Sequence, residues 1–527
     1  MHRISLLVAV AAALAVAIVG LRHGTYAAGG SDSSCYALMA DAFASGALQP
    51  SSELVARVPW PDAPKTFTPG GFVTSETNPS ASAPVCAPGF SVLLAPLIVV
   101  GGRDAMFILT PVAGALLVWL TFVAGRTIDG PVAGAMAAVL VAASPPMLYQ
   151  VVQPMNDVTT TALWMGTFVS LLRRRFVLAG ICCGLALLVR PNLLPLALVA
   201  GFASLPPGNR GWGRGIRNVT RFAIPAVPFG LLVLWLNTEL YGSPLRTGYG
   251  ATAQLFGVSA FPINVGRYFQ WLVETHTPFP LLAFAAPFVV AREQRAAVAL
   301  AIALILATCL IYFLYTPFDD WSFLRFLLPA ITLMLVLASV VAVRGLSVLV
   351  RLKADSTEKV SVVSGFSRTA IVAAITAGLA IFCVRTAEDR LVFALKYLEQ
   401  RYRSAGIVVR DRLPENAVTL SVWDSGAVRF HGRKEAVVWA GLDPSWLDRG
   451  LAWLDQEGHT PYILLESWEE PLFRSRFANH SDIGKLDWPP KYEIDRVVRI
   501  FDPKDRATYL RGEHVKTEYL WPMRRLP

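Results

Sequence analysis

Long apolar runs recur through most of the first 385 residues, and they constrain the fold more than any other feature. Crossing the hydrocarbon core of a bilayer takes about 20 apolar residues, a need that soluble domains do not have. Of the 527 residues, 54% are hydrophobic and only 16% are charged. The runs lie at residues 4–20, 105–125, 131–148, 158–172, 176–189, 191–205, 220–238, 278–291, 296–316, 321–343 and 369–384. The sequence therefore predicts a mainly α fold, a polytopic membrane bundle of about eleven transmembrane helices.

The formal net charge of +10 could point to nucleic acid or to membrane topology. The arginines responsible stand between apolar runs, and they do not form a basic face interleaved with aromatic residues. Membrane topology therefore explains the charge better. We expect membrane lipid as a partner and no nucleic acid.

The first apolar run can be read as a transmembrane helix or as a signal peptide. Met1-His2-Arg3 precedes the run, and Ala27-Ala28 resembles a cleavage site. The run is long for a signal peptide and many further spans follow, which favours a transmembrane helix. On either reading, the chain after Leu21 begins on the outer side.

A shorter apolar run at residues 88–100 decides the orientation of the remaining helices. If this run does not cross, all strongly basic short loops face the cytoplasm, as the positive-inside rule requires. These basic segments are 126–130, 173–175, 210–221, 292–295 and 344–368. We therefore expect the first outer loop, residues 22–104, to carry 88–100 as an interfacial helix, and residues 1–385 to form the transmembrane domain.

Residues 386–527 differ in composition and predict a soluble C-terminal domain on the extracytoplasmic side. Charged residues become frequent, and short apolar stretches alternate with turn residues, which is typical of strands. The stretches lie at 417–423, 436–440 and 462–465, with helices expected at 387–404 and 444–456. The pattern predicts an α/β or α+β domain.

Two carboxylates from separate segments fall on the same outer side in this topology. Asp32 follows the first helix, and Asp157 follows Gln153-Pro154-Met155-Asn156 at the outer end of another. An aspartate at a helix start can simply cap it by accepting backbone hydrogen bonds. It can also serve as the base that removes the proton of an attacking hydroxyl. Both readings stay open on the residues alone.

Several short segments resemble the GT-C superfamily, which includes protein O-mannosyltransferases and lipid A aminoarabinose transferases. Ser31-Asp32-Ser33-Ser34-Cys35-Tyr36 is similar to the first-loop acidic motif, and Asn156-Asp157 to the second-loop acid. The other similar segments are 184–191, 241–250 and 325–329. The resemblance covers roughly residues 1–345 and implies a bacterial inner-membrane hexosyltransferase whose active site faces the periplasm.

The resemblance also implies a chemistry and a set of residues. The donor would be a sugar on polyprenyl phosphate, and the acceptor a glycan, a lipid or a protein. Asp32 would be the general base of an inverting transfer, assisted by Asp157. Arginine forks suit a leaving phosphate. The implied substrate-binding residues are Tyr36, Lys65, Arg190, Tyr249 and Arg325.

The sequence offers little support for a cofactor. Many relatives carry paired acids in the first loop, whereas here Ser33 follows Asp32, so no metal ligands are assigned, although a divalent metal stays possible as cofactor. The histidines follow no zinc-binding pattern, and no phosphate-binding glycine loop is present. Cys35 and Cys86 lie on the oxidising side, where they either pair or remain free thiols.

Two other functions are compatible with the sequence. A transporter or flippase for a lipid-linked glycan would also be polytopic, but such folds often have repeated halves, which are not evident. A non-catalytic membrane scaffold would leave Asp32 and Asp157 as helix caps.

Overall fold

The computed structural model describes residues 2–205, 212–354 and 363–521. Parts of two predicted basic loops, residues 206–211 and 355–362, lie outside the described residues. The chain divides into two compact units. Unit 1 comprises Met1–Gly24, Phe107–Leu234 and Ala251–Leu395; unit 2 comprises Thr25–Met106, Trp235–Gly250 and Lys396–Pro527. The predicted boundary at residue 385 separates a transmembrane domain from a soluble one. The two compact units are defined by contacts within the chain, so the predicted boundary stays a prediction.

Unit 1 is a bundle of helices, most of them apolar. The α-helices assigned to it are His2–Arg22, Leu109–Asp129, Pro131–Ala143, Pro145–Val151, Asn156–Leu172, Phe176–Val189, Leu194–Ala203, Trp212–Tyr241, which continues into unit 2, Ala260–His276, Ala286–Val289, Arg295–Phe313, Leu328–Ala354 and Val363–Asp389. Short 3₁₀ helices precede several of them, including Phe279–Ala285 and Trp321–Leu327.

Six helices among the described residues are long and apolar enough to cross a membrane, which makes the chain an integral membrane protein. Counting the pair Pro131–Ala143 and Pro145–Val151 as one span raises the number to seven, although the pair is bent by 60°. The prediction of about eleven spans is therefore not confirmed.

Prolines account for two of the differences from the predicted spans. Pro145 and Pro146 fall in the run 131–148, and Pro280 and Pro287 fall in the run 278–291. A proline lacks the backbone N–H and clashes with the preceding turn. The first run is consequently bent, and the second forms the 3₁₀ helix Phe279–Ala285 followed by one turn of α-helix.

The helix Gly89–Gly101 belongs to unit 2 and has 13 residues. At 1.5 Å per residue it extends for about 20 Å, less than the roughly 30 Å of a hydrocarbon core. Its length agrees with the expectation that residues 88–100 do not cross.

Unit 2 combines the first outer loop with the C-terminal part of the chain. Its α-helices are Asp32–Ala44, Ala63–Thr66, Gly89–Gly101, Leu395–Arg412, Ser425–Phe430, Leu447–Gln456, Glu470–Phe477 and Pro503–Leu510. Two short strand pairs lie outside the main sheet. They consist of β1 (Phe72–Thr74) with β2 (Ser82–Pro84), and of β3 (Arg246–Thr247) with β4 (Gly250–Ala251).

The main sheet of unit 2 has six strands among the described residues. These are β5 (Ala417–Leu420), β6 (Glu435–Val437), β7 (Thr460–Glu466), β8 (Tyr492–Ile494), β9 (Val498–Phe501) and β10 (Glu518–Leu520). Their order is β10-β8-β9-β7-β5-β6. Strand β5 is parallel to both β6 and β7, whereas β9 is antiparallel to β7 and β8.

The predicted C-terminal elements agree with this sheet. Strands β5, β6 and β7 coincide with the three apolar stretches, and Leu447–Gln456 lies within the predicted helix 444–456. The predicted helix 387–404 is instead divided between the end of Val363–Asp389 and the start of Leu395–Arg412. Helices between parallel strands, together with the one antiparallel strand β9 inside the sheet, give a mixed α/β domain.

Candidate functional site

Asp157 and Arg190 meet where one helix of unit 1 begins and another ends. Asp157 is in the first turn of Asn156–Leu172, and Arg190 follows the last residue of Phe176–Val189. Arg190 Nη1 donates to Asp157 Oδ1 over 2.5 Å, and the Asn156 side-chain amide donates to the Val189 carbonyl over 3.3 Å. Pro191 ends the second helix because it cannot continue the hydrogen-bond ladder. Two of the predicted site residues are thus joined directly, a pairing that the sequence did not predict.

The Asp157–Arg190 ion pair is buried. The side chain of Asp157 is 1% exposed and that of Arg190 is 11% exposed. Asp157 Oδ2 has no hydrogen-bond partner among the described residues. A buried ion pair is costly to break, because the remaining partner becomes an uncompensated charge.

Arg325 lies near Arg190 through a shared aromatic ring. The Arg190 guanidinium carbon is 5.0 Å from the centre of the Phe326 ring, and that of Arg325 is 5.2 Å from the same centre. Tyr312 stacks on Phe326 with ring centres 5.0 Å apart, and its hydroxyl accepts a hydrogen bond from the Asn192 amide. Aromatic faces attract guanidinium groups. The structure therefore brings together three predicted site residues: Arg190 and Arg325 lie on the Phe326 ring, and Asp157 pairs with Arg190.

Tyr312 and Phe326 did not emerge from the sequence as site residues. Both are aromatic residues in or beside apolar runs, where such residues commonly serve packing. Their proximity to Arg190 depends on contacts between residues that are distant in sequence. No local motif supplies that pairing.

Asp32 lies in unit 2, at the start of the helix Asp32–Ala44. Its side chain is half-buried. The free N–H groups and the dipole of a helix N-terminus stabilise a negative charge there. Asp32 therefore lies in the first turn of a helix, at its N-terminal end.

Close backbone packing fixes the turn that precedes Asp32. Ser34 Oγ donates to the Gly30 carbonyl over 2.5 Å and lies 3.1 Å from the Gly70 carbonyl. Gly71 has φ +85°, and a Cβ there would stand 2.1 Å from the Ser31 carbonyl oxygen. Only glycine fits at this approach. The segment 70–71 thus holds the Asp32 turn in place.

Cys35 and Cys86 form a disulfide, which resolves the alternative left open by the sequence. Their Cα atoms are 6.2 Å apart, and 51 residues separate them along the chain. The bond connects the helix that begins at Asp32 to the segment before Gly89–Gly101. It ties together two distant parts of the first outer loop.

We expect loss of the Cys35–Cys86 disulfide to lower the free energy of unfolding by about 4 kcal/mol, from the loop entropy of a 51-residue separation. The midpoint of thermal unfolding in detergent, with and without a thiol reductant, measures this. The Cys35→Ser/Cys86→Ser variant should unfold at the lower temperature in both conditions. A further drop of that variant with reductant would contradict the assignment.

The other predicted substrate-binding residues have different surroundings. Tyr36 is 6% exposed, and its ring packs edge-on against Phe90 with centres 5.0 Å apart. Lys65 is exposed and its ammonium lies 3.2 Å from the Asp62 carboxylate. Tyr249 is half-exposed, in the turn between β3 and β4. Tyr36 therefore packs in the interior of unit 2, whereas Lys65 and Tyr249 present surface to solvent.

The C-terminal segment 425–431 packs against the loop that carries Asp32, a feature the sequence did not indicate. Ala28 N–H donates to His431 Nε2 over 3.0 Å, and Gly70 N–H donates to Ser425 Oγ over 3.2 Å. A Cβ on Gly426 would stand 2.4 Å from Ser34 Cβ. The C-terminal domain thus helps to position the Asp32 turn.

A group of buried carboxyls lies beyond the carboxyl ends of β5 and β7. Asp424 is fully buried, and burial raises its pKa well above the usual range. Glu466 accepts from Arg401 Nε over 2.9 Å, and Glu469 Oε2 accepts from the Glu466 N–H over 2.9 Å. Burial raises the pKa of Glu469 to about 7. Protonation of Glu469 is therefore linked to folding near neutral pH.

Glu469 should make the protein less stable as pH rises through about 7. Its pKa is about 4.5 when unfolded, so its contribution is complete below pH 4.5 and is lost as the folded carboxyl ionises. The total is on the order of 3 kcal/mol. Thermal unfolding midpoints between pH 4.5 and 7.5 measure it, with Glu469→Gln as a neutral isostere. Parallel pH curves for wild type and variant would contradict the linkage.

The described residues contain no group of three or more His, Cys, Asp or Glu side chains arranged to hold a metal ion.

No protein-family model matches the chain, and no curated protein matches it. Solved structures do: the chain shares its fold with ArnT and with an archaeal oligosaccharyltransferase, both members of the GT-C superfamily. The fold implied by the short sequence segments is thereby confirmed.

The similar structures come from a bacterium and an archaeon. ArnT from Cupriavidus metallidurans bound to undecaprenyl phosphate has a TM-score of 0.55 at 14% identity, covering 90% of this chain and 95% of that chain. The apo state of the same protein has a TM-score of 0.55 at 13% identity, covering 94% and 97%. The Archaeoglobus fulgidus oligosaccharyltransferase in complex with Zn and sulfate has 0.52 at 11%, covering 90% and 70%. At these identities the likeness concerns the fold.

Proposed function

We propose that the chain is a glycosyltransferase, of hexosyltransferase type, that moves a sugar from a polyprenyl-phosphate donor to an acceptor. The observation that carries the proposal is the pairing of Arg190 and Arg325 on the Phe326 ring, beside the buried Asp157. Two guanidinium groups at the ends of apolar helices suit a phosphate attached to a membrane lipid. A protein of the same fold binds undecaprenyl phosphate.

The proposed step is a single inverting displacement. An acceptor hydroxyl oxygen attacks the anomeric carbon, and its proton passes to the Asp32 carboxylate. The bond from the anomeric carbon to the phosphate oxygen breaks, and polyprenyl phosphate leaves with the bonding electrons. Arg190 and Arg325 stabilise the charge that develops on this phosphate. Asp157 keeps Arg190 oriented through their ion pair.

The reaction is proposed to occur on the extracytoplasmic face of a bacterial inner membrane. The positive-inside rule supports this orientation, because it assigns the arginine-rich loops to the cytoplasm. Asp32, Lys65 and Tyr249 then lie outside, together with the C-terminal domain. Lys65 and Tyr249 are exposed and can contact the donor or the acceptor.

The proposal is tested by reconstituting the protein in liposomes with a labelled hexose on polyprenyl phosphate and a mixed pool of glycan, lipid and peptide acceptors. Transfer of label to an acceptor, with release of polyprenyl phosphate, is expected. A flippase would move the labelled lipid between leaflets and leave its sugar–phosphate bond intact. Movement without bond cleavage would therefore overturn the proposal in favour of transport.

A further inference from the structure

A cavity of about 490 Å³ lies within unit 2, away from the buried carboxyls beyond β5 and β7. It is bounded by the end of the helix Asp32–Ala44, by Arg103, by the start of β5 and by the residues around β6. Small-molecule sites in proteins usually measure about 300–1,000 Å³. The cavity therefore has the size of a small-molecule site and exceeds what a single inorganic ion fills.

Arg429 gives the cavity a buried donor. Its side chain is 9% exposed, and its Nε has no hydrogen-bond partner among the described residues. Its counter-charge is Glu435, whose Oε2 lies 3.1 Å from Arg429 Nη2 and whose side chain is 36% exposed. Buried polar groups are normally satisfied, and a buried cation is costly unless it is paired. Arg429 is therefore a buried cation in the lining of the cavity, and its guanidinium is incompletely paired by the protein.

Burial lowers the pKa of the Arg429 guanidinium, and the neighbouring Glu435 carboxylate opposes this shift only in part. An anionic group next to Arg429 would supply the missing compensation.

Arg103, by contrast, is already committed to the protein. Its Nε and Nη2 donate to the two oxygens of Asp41, each over 2.6 Å, and its Nη1 donates to the Phe430 carbonyl over 2.5 Å. Through these hydrogen bonds, Arg103 connects the helix Asp32–Ala44 to the C-terminal segment that contains Phe430. Arg433 and Lys434, which also line the cavity, remain as nearby cations at its rim.

The rest of the lining suits hydroxyl groups. Glu415 and Glu435 supply carboxylates, and Gln49 and Asn416 supply amide oxygens, since their amide nitrogens already donate to the Glu239 and Gly458 carbonyls. Amides donate and accept, and carboxylates accept from hydroxyl groups. The two carboxylates would repel a simple anion. A ligand with an anionic group and several hydroxyls can bind the arginines through the anionic group and the carboxylates through the hydroxyls.

We propose that this cavity binds an anionic saccharide, that is, a sugar with a carboxylate or a phosphate group, whose anionic oxygens accept from Arg429 and Arg433. Its hydroxyl groups donate to the carboxylates and the amide oxygens of the lining. The cavity belongs to unit 2 alone, so the inference does not rest on the proposed transfer reaction.

Calorimetric titration of the purified full-length protein in detergent tests the proposal with four probes: glucuronate, glucose 6-phosphate, glucose and inorganic phosphate. At least one anionic sugar should bind at least ten times more tightly than glucose and inorganic phosphate. The two sugars together show whether carboxylate or phosphate is preferred. Equal affinity for inorganic phosphate would overturn the saccharide assignment, and equal affinity for glucose would overturn the anionic one. Absence of binding by both charged sugars would overturn the proposal altogether.

Two variants locate the binding. Arg433→Ala changes an exposed residue, so folding should persist, and affinity should fall about tenfold with loss of one charge-assisted hydrogen bond. Arg429→Met should reduce affinity further. Arg511→Ala removes an exposed arginine of the same domain that pairs with Glu513, outside the cavity, and should leave affinity unchanged. Wild-type affinity in Arg433→Ala and in a folded Arg429→Met would place the ligand elsewhere and overturn the proposal.

Discussion

Replacing Asp32 by asparagine is expected to lower the rate of sugar transfer by about two to four orders of magnitude, the usual contribution of a general base. The amide has nearly the same shape as the carboxylate but cannot take the proton of the acceptor hydroxyl. Stability should change by less than about 1 kcal/mol, because Asp32 is half-buried in the first helical turn. Initial rates at saturating donor, together with thermal unfolding of the same samples, measure both quantities.

Glu53→Gln provides a matched control for this experiment, because Glu53 is an exposed acid in the same outer loop. Its transfer rate should equal that of the wild type. If Asp32→Asn kept the full rate, Asp32 would be a structural residue of the helix start, and the proposed base would be wrong. A variant that lost stability along with activity would also fail to support a chemical role.

Run length and arginine placement predicted the membrane class of this chain, since both reflect the energetics of a bilayer. They did not predict how many runs form complete spans. The run 278–291 is apolar enough, but its prolines break the helix, and Phe176–Val189 is a helix of only 14 residues. The apolar composition of a run indicates whether the run is stable in an apolar environment. Whether the run crosses the membrane depends on the length of its unbroken helix.

The strands of the C-terminal domain could be predicted, but not their arrangement. Short apolar stretches between turn residues identify β5, β6 and β7, because such stretches are typical of buried strands. The placement of β5 between β6 and β7 depends on pairing between residues distant in sequence. The same limit applies to the cavity, since Arg103 and Arg429 come from segments that no local pattern connects.

Candidate residues were found where a charge interrupts an apolar context, as at Asp157 and Arg190. Such charges are expensive in a membrane protein and stand out for that reason. Their direct contact spans 33 residues of sequence and could be seen only in the structure. Tyr312 and Phe326, which contact Arg190, could not be distinguished from packing aromatics.

Replacing Arg190 by methionine should lower the free energy of unfolding by about 3–5 kcal/mol, because it leaves the Asp157 carboxylate buried without its partner. Asp157→Asn should also destabilise, since it leaves the guanidinium uncompensated. The double variant Arg190→Met/Asp157→Asn removes both charges and should recover most of the loss. Denaturant titration of the four proteins in detergent gives the coupling between the two residues.

The double variant also separates structure from chemistry. If Arg190 stabilises the leaving phosphate, the double variant is folded but remains slow in transfer, because restored stability does not restore the cation. The pair Arg344–Asp129 offers a control: its side chains are 24% and 11% exposed, so breaking it with Arg344→Met should lower the stability less and leave transfer unchanged.

Additive stability losses in the Arg190→Met/Asp157→Asn cycle would show that the Asp157–Arg190 pair contributes no coupling. Wild-type transfer by the double variant would exclude Arg190 from the reaction and leave Arg325 as the phosphate ligand to test.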